Sequence, residues 1–416
     1  MGVSAVAASR GESGQATNLL GMNREELRAF VATFGERPYR GNQIYRWLYT
    51  RGAVSFDVMT DIARAARDRL SHAAVIYGVV PVTSTLSPAD GTSKFLFALS
   101  DGLHIESVCI PPSSLFDADE ERSGDHQPRE RLTLCVSTQV GCPLACTFCA
   151  TGTMGFLRNL TVAEIIDQVL QVRRMTGRRI TNIVFMGMGE PLLNYERVMQ
   201  AADIMTDGLD IAARRITVST AGWVDGILRM AADRRRNKLA ISLHSAVEET
   251  RVRLMPVTRR FPLVRLQDAV KRYYAATRLR VTYECIFFDG INDRPEDVRR
   301  LIRFARSVPC KINVIPYHSI TFTHPEGLAA SLRPSSRTDE IVDQLREANL
   351  TVMVRSSAGE DIAAACGQLA VDEPRRRHEG AIAHNRPSFP HETTTHETPP
   401  LWASGRGEGN ASEVTL

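Results

Sequence analysis

Between residues 131 and 354 the chain alternates short apolar runs with longer stretches of helical spacing, and no other feature limits its fold so tightly. The apolar runs fall at 132–136, 180–186, 215–219, 239–243, 281–288, 311–315 and 351–354. Apolar residues recur at three- and four-residue intervals across 161–175, 196–205, 224–232, 266–276, 295–307 and 338–348. Short, continuously apolar strands are buried on both faces, and parallel strands need a helical crossover between them. The pattern predicts an α/β fold: a parallel sheet closed into a full or partial (β/α) barrel, with function at the C-terminal strand ends. Thr161, with Glu164 three residues later, reads as the capping box of the first crossover helix.

The flanks are different. Residues 1–20 are small and polar and read as a flexible tail, and 21–80 as a small helical domain with helices over 24–34, 38–49 and 56–70. In 81–130, apolar alternation at 93–99 and 104–110 surrounds Ser100-Asp-Gly102, a hairpin signal, and the polar remainder to 130 reads as an exposed loop. The barrel then occupies 131–370. Residues 371–416 are rich in Pro, Gly, His, Thr and Ser without apolar periodicity, a composition expected to stay disordered. The four histidines there (His378, His384, His391 and His396) are irregularly spaced and read as solvated.

A net charge of +4 permits a nucleic-acid partner without requiring one. No apolar run reaches the roughly 18 residues that span a bilayer, and the first residues lack the apolar core of a signal peptide. A cytoplasmic protein with no membrane partner is expected. Eight cysteines in 416 residues fit reduced thiols and a metal site rather than a secreted disulfide framework.

Three of those cysteines stand in Gly141-Cys-Pro-Leu-Ala-Cys-Thr-Phe-Cys149, directly after the first strand of the barrel. Thiolates are soft ligands, suited to zinc or to an iron–sulfur cluster. A structural zinc site would need a remote fourth ligand. A [4Fe–4S] cluster held by Cys142, Cys146 and Cys149 would keep one iron open to a substrate. After the second strand comes Met186-Gly-Met-Gly-Glu-Pro-Leu-Leu193, whose glycines expose backbone to a ligand and whose Glu190 could accept from an ammonium group. Ser219 and the run Ser242-Leu243-His244 end the next two strands.

The cysteine spacing, with 132–142 (Leu-Thr-Leu-Cys-Val-Ser-Thr-Gln-Val-Gly-Cys) and 150–160 (Ala-Thr-Gly-Thr-Met-Gly-Phe-Leu-Arg-Asn-Leu), closely resembles the RlmN/Cfr family of radical S-adenosylmethionine (SAM) RNA methyltransferases. The resemblance runs with interruptions from about Asn23 to Leu369. It implies a partial radical SAM barrel. It also implies a [4Fe–4S] cluster on the three cysteines, SAM at the open iron, and two SAM molecules per turnover.

SAM contacts are implied at Gly189, Glu190, Ser219, Ser242, Leu243, His244 and His318, the last standing where the family commonly has Asn. Cys366, in Gly359-Glu-Asp-Ile-Ala-Ala-Ala-Cys-Gly-Gln-Leu369, is implied as the methyl carrier. Cys135 is implied as its resolving partner through a transient disulfide, and Glu106 as the proton acceptor. Adenine C2 is electron-poor, so a radical route is needed. The implied substrates are adenosines of 23S rRNA, at the peptidyl transferase centre, and of tRNA, 3′ of the anticodon, with the base extruded into the barrel mouth.

Implied partners are these RNAs and an electron donor such as flavodoxin or ferredoxin, with the chain a monomer. An adenine-C8 methyltransferase of the antibiotic-resistance type shares the same motifs. A non-catalytic Fe–S RNA-binding protein is the reading from another class. In the helical domain, Tyr39, Arg40, Gln43, Tyr45, Arg46 and Trp47 could face RNA or form an aromatic core helix. Cys109, Cys285 and Cys310 read as small core hydrophobes.

Overall fold

The computed structural model describes residues 16–112, 131–355 and 357–371. The tail up to residue 15, the loop 113–130 and the segment from 372 with its four histidines, all assigned from sequence, lie outside the described residues.

A ten-stranded sheet carries the fold. Its strands lie side by side in chain order: β1 (Val80–Leu86), β2 (Ser93–Ala98), β3 (His104–Ile110), β4 (Thr133–Cys135), β5 (Asn182–Phe185), β6 (Ile216–Thr220), β7 (Lys238–Ser242), β8 (Val281–Cys285), β9 (Cys310–Val314) and β10 (Val352–Val354). β4 to β10 run parallel, and β3, β2 and β1 extend the β4 edge antiparallel. β1 and β10 are the two edges, so the barrel is partial, as the strand–helix alternation predicts.

Helices cross between the parallel strands: α4 (Val162–Thr176), α5 (Tyr195–Gly208), α6 (Val224–Ala232), α7 (Glu248–Leu254), α8 (Leu263–Thr277), α9 (Pro295–Ala305) and α10 (Thr338–Glu347). α4 starts at the predicted capping box: Thr161 Oγ1 accepts from Glu164 N, and Glu164 Oε2 accepts from Thr161 N. Ile165, Ile166 and Val169 of α4 are fully buried, as are Ile183, Val218, Leu239, Ile241 and Tyr283 of the strands. Burying such side chains contributes about 1.5–3 kcal/mol each, which sets helices and sheet face to face.

Three helices precede the sheet, α1 (Arg24–Ala32), α2 (Tyr39–Tyr45) and α3 (Arg64–Ala73). α2 continues as a π turn over Arg46–Thr50. This module packs on α5 through Tyr49, whose ring a Cβ at Gly208 would meet, and Tyr49 Oη donates to Met22 O at 2.8 Å.

Four expectations change. Residues 17–20 were placed in a flexible tail, yet Thr17–Asn18 pairs with Ala74–Val75 and Leu19 and Leu20 are buried. Two apolar side chains in a polar stretch were enough to anchor it. The third helix begins at Arg64 rather than 56. The hairpin gains a third strand, β1, every residue of which is exposed, so it carries no burial signal. The short helix α7 is not among the helical stretches expected from sequence.

Among the described residues no helix is long and apolar enough to cross a membrane.

Candidate active site

The three-cysteine loop lies between β4 and α4, and an antiparallel ladder of Gln139–Gly141 with Phe156–Asn159 draws its ends together. Cys142 N donates to Gly155 O at 2.7 Å, Thr147 N to Leu254 O at 3.0 Å, and Ala150 N to Gly367 O at 2.7 Å. The loop is therefore tied to the end of α7 and to the segment bearing Cys366. All three thiols are half-buried and free.

Burial holds each of the three above the ordinary thiol range, and for Cys142 and Cys146 the neighbouring thiols add to it. Packing three thiolates together therefore requires a cationic partner. Among the described residues, no three His, Cys, Asp or Glu side chains are gathered around a single metal position. Soft sulfur donors from one short loop, with no histidine or carboxylate among them, fit an iron–sulfur cluster.

The next loop leaves β5. Gly189 has φ +103°, and a Cβ there would come within 2.5 Å of the Gln139 side chain, so only glycine fits. Glu190 is buried, and its oxygens accept from Leu192 N at 3.0 Å and Ala221 N at 2.8 Å. Its carboxylate thus ties the β5 loop to the β6 loop, a role that the sequence reading of an ammonium acceptor did not contain. Burial raises its pKa to about 7, against the lowering effect of those hydrogen bonds.

Ser219 and Leu243 are buried and Ser242 is half-buried at the ends of β6 and β7. The fully buried guanidinium of Arg251, from α7, donates to Leu243 O at 3.1 Å, Ser242 O at 3.2 Å, Ala221 O at 2.7 Å and Thr258 Oγ1 at 2.6 Å. His244 has φ +54°, and its Nδ1 accepts from Ile286 N at 3.1 Å. Nε2 is then the protonated nitrogen and a donor. Burial, then Arg251, lowers the His244 pKa to about 3, so the ring is neutral.

A cleft enclosing about 710 Å³ of empty space, part of it open to solvent, is lined by Cys135, Cys149, Met186, His318, Arg355 and Cys366 among others. Cys366 is exposed within it, and Arg355 Nη1 stands 3.7 Å from its Sγ. Desolvation by the surrounding cleft raises the Cys366 thiol while the Arg355 guanidinium opposes that rise. Cys135 is buried at the end of β4; burial, then the nearby Cys366 sulfur, pushes it up to about 12. Arg355 also lies 3.8 Å from Glu284 Oε2. His318 Nδ1 is 3.2 Å from Glu360 Oε1, outside hydrogen-bonding geometry.

Glu106 is buried on β3, on the strand face whose Val108 and Ile110 line the cleft, but it does not line the cleft itself. Its Oε1 is 3.2 Å from Lys94 Nζ and its Oε2 accepts from Ala370 N at 3.0 Å.

The structure thus brings Cys135, Cys149, His318 and Cys366 into one cleft. Gly189, Glu190, Ser219, Ser242, Leu243 and His244 stand at the C-terminal ends of β5 to β7. Arg251, Glu284, Arg355 and Lys94 were not singled out from sequence. A charged residue inside or directly after an apolar strand (Glu284 in β8, Arg355 after β10) was the available signal.

In the helical module Tyr45 is buried, with the Arg24 guanidinium 4.0 Å from its ring centroid, so it belongs to the aromatic core. Tyr39 and Arg46 are exposed. Trp47 is half-buried and donates to Asp61 Oδ1 at 2.5 Å.

Two family models match the chain. The model described as ribosomal RNA large subunit methyltransferase N-terminal domain covers residues 17–76, and that of the radical SAM superfamily covers 136–305. The chain is 40% identical over 379 residues to the dual-specificity RNA methyltransferase RlmN of Anaeromyxobacter dehalogenans, covering 88% of this chain and 96% of that one. It is 43% identical to the protein of that name from Geobacter sulfurreducens, covering 85% of this chain and 91% of that one. A crystal structure of a radical SAM methyltransferase from Sphaerobacter thermophilus superposes with a TM-score of 0.74 at 39% identity, covering 85% of this chain and 99% of that one.

Proposed function

The chain belongs to the RlmN family of radical SAM RNA methyltransferases, and from that premise we propose that it makes 2-methyladenosine in 23S rRNA and in tRNA by way of a methyl group carried on Cys366. The observation that carries the reading is the cleft in which Cys366, Cys135 and the ligand-loop residue Cys149 stand together.

Cys142, Cys146 and Cys149 would hold a [4Fe–4S] cluster. SAM would sit against Gly189, Glu190, Ser219, Ser242, Leu243, His244 and His318, and two SAM molecules would be used per turnover. When bound, cluster and SAM supply one-electron chemistry able to abstract a hydrogen atom from a methyl group.

The chain's own residues do the rest. Arg355 favours the thiolate of Cys366, the form that takes up a methyl group. Gly189 and Glu190 hold the β5 loop in shape, and neutral His244 presents Nε2–H as a donor at the end of β7. Glu106 would accept the proton that leaves adenine C2. Cys135, whose thiol burial keeps protonated, would wait as the partner that releases Cys366 through a transient disulfide. The helical module 21–80 would contact RNA through exposed Tyr39 and Arg46, with half-buried Arg40 beside them, and would act as an accessory domain to the barrel. We propose a cytoplasmic monomer served by flavodoxin or ferredoxin.

Anaerobic reconstitution with iron, sulfide, SAM and RNA, followed by nucleoside mass analysis, tests this. 2-Methyladenosine is expected, and 8-methyladenosine would sink the C2 assignment. Methylation that survives Cys366→Ala would remove the carrier.

A further inference from the structure

The segment 359–370, which carries Cys366, is gripped by the antiparallel extension of the barrel. Asp90 Oδ2 accepts from Gly359 N at 2.8 Å, and Ser87 Oγ donates to Asp361 Oδ2 at 3.0 Å. Lys94 Nζ donates to Ala363 O at 3.3 Å, and Glu106 Oε2 accepts from Ala370 N at 3.0 Å. The last two contacts bracket Cys366 in sequence. They are also coupled, because Lys94 Nζ is 3.2 Å from Glu106 Oε1.

That coupling follows from sheet register. Lys94 on β2 stands opposite Val108, and Glu106 is two residues away on β3, so the two share one face as diagonal neighbours. The pair is largely enclosed, with side-chain exposures of 20% and 6%. At such a site a charged pair is screened far less than at the surface. From the other walls Ala150 N donates to Gly367 O, Thr151 Oγ1 to Leu369 O and Gln368 Nε2 to Ser319 O, all between neutral groups, and the Arg355 guanidinium stands 3.7 Å from Cys366 Sγ.

We propose that the Lys94–Glu106 ion pair is a clamp on the Cys366 segment, that Lys94 is a positioning residue for the carrier, and that a proton arriving on Glu106 opens the clamp. The opening step rests on Glu106 being the proton acceptor of the proposed reaction; the clamp itself does not. When the adenine C–H proton moves to Glu106, the C–H electron pair stays with the ring and one carboxylate oxygen gains an O–H bond. The neutral carboxyl loses its Coulombic attraction to Lys94. Its bond to Ala370 N drops from the charge-assisted kind to one about half as strong. Among the described residues, Ala363 O is then the partner left to Lys94. Proton removal thereby loosens the segment at the stage when Cys366 must turn from the base toward Cys135.

Hydrogen exchange on the full chain tests the clamp without RNA. In Lys94→Met and in the near-isosteric Glu106→Gln, amides of 359–370 should exchange at least tenfold faster than in the parent, while β6 and β7 keep their protection. Lys94→Arg should restore the parent rate. Unchanged protection of 359–370 in Glu106→Gln would overturn the proposal. So would faster exchange spread equally through β6 and β7, which would make Lys94 a general stabiliser. Failure of the carrier reading is separate: it shows as RNA methylation surviving Cys366→Ala and leaves these exchange rates untouched.

Discussion

Arg355 Nη1 lies 3.7 Å from Cys366 Sγ, and buried Cys135 lines the cleft that holds both. A guanidinium beside a thiol lowers its pKa, which opposes the rise caused by desolvation in the cleft. Arg355→Met should therefore raise the Cys366 pKa and slow its alkylation at neutral pH, roughly tenfold for each unit of pKa gained. Iodoacetamide rates followed by peptide mass analysis check this. A rate equal to the parent would remove Arg355 from thiol activation.

Cys135→Ala keeps Cys366, the proposed carrier, but removes its proposed partner. Methylation of Cys366 should persist, while RNA methylation stalls with the base still joined to the protein. A covalent protein–RNA species on a denaturing gel is the expected sign, and its absence together with normal product would dismiss Cys135 as the resolving thiol.

His244 gives a pH signature. Its folded pKa of about 3 is below the unfolded value of about 6.5. The unfolded chain therefore takes up a proton at this site that the folded chain refuses. Stability is unaffected above the unfolded pKa and falls progressively as pH drops from there toward the folded pKa, by about 2 kcal/mol at pH 5. His244→Gln, which keeps an acceptor for Ile286 N, should flatten that part of the profile. Urea midpoints of parent and variant at pH 7.5 and pH 5 measure the difference.

Glu190→Ala strands two amides, the buried Leu192 N and the partly buried Ala221 N. Each orphaned donor costs about 1–3 kcal/mol. The melting temperature should fall by several degrees, with the β5 and β6 loops loosened together. Glu190→Gln, which keeps an acceptor oxygen, should lose less.

Replacing any one of Cys142, Cys146 and Cys149 with Ala should abolish retained iron after anaerobic reconstitution. Cys109→Ala or Cys285→Ala should leave iron content unchanged, because those thiols are buried elsewhere in the core. Iron and sulfide assays distinguish the two groups.

The barrel was legible because its signals are local. α6 occupies the predicted 224–232 without change, and the α4 capping box sits on Thr161 and Glu164. Strands with every residue buried, such as β8, declare themselves through apolar runs. β1 stayed hidden because all its residues are exposed and only pairing with β2 makes it a strand. α7 stayed hidden because seven residues are too few for periodicity to stand out. Tyr45 could be read either way until α5 covered it.

The sequence by itself determined the strand–helix alternation, the three-cysteine loop and the glycines of the β5 loop. Each depends on spacing along the chain and on the chemistry of single side chains. Only the tertiary structure decided that Arg355 faces Cys366, that Arg251 ties three loop carbonyls, and that Lys94 and Glu106 bond Ala363 and Ala370, on either side of Cys366 in sequence. Those contacts join residues up to hundreds of positions apart, from Glu106 to Ala370 among them. Their geometry is set by sheet register and by the curvature that brings β3 and the segment after β10 to one cleft, and neither is written in the local order of residues.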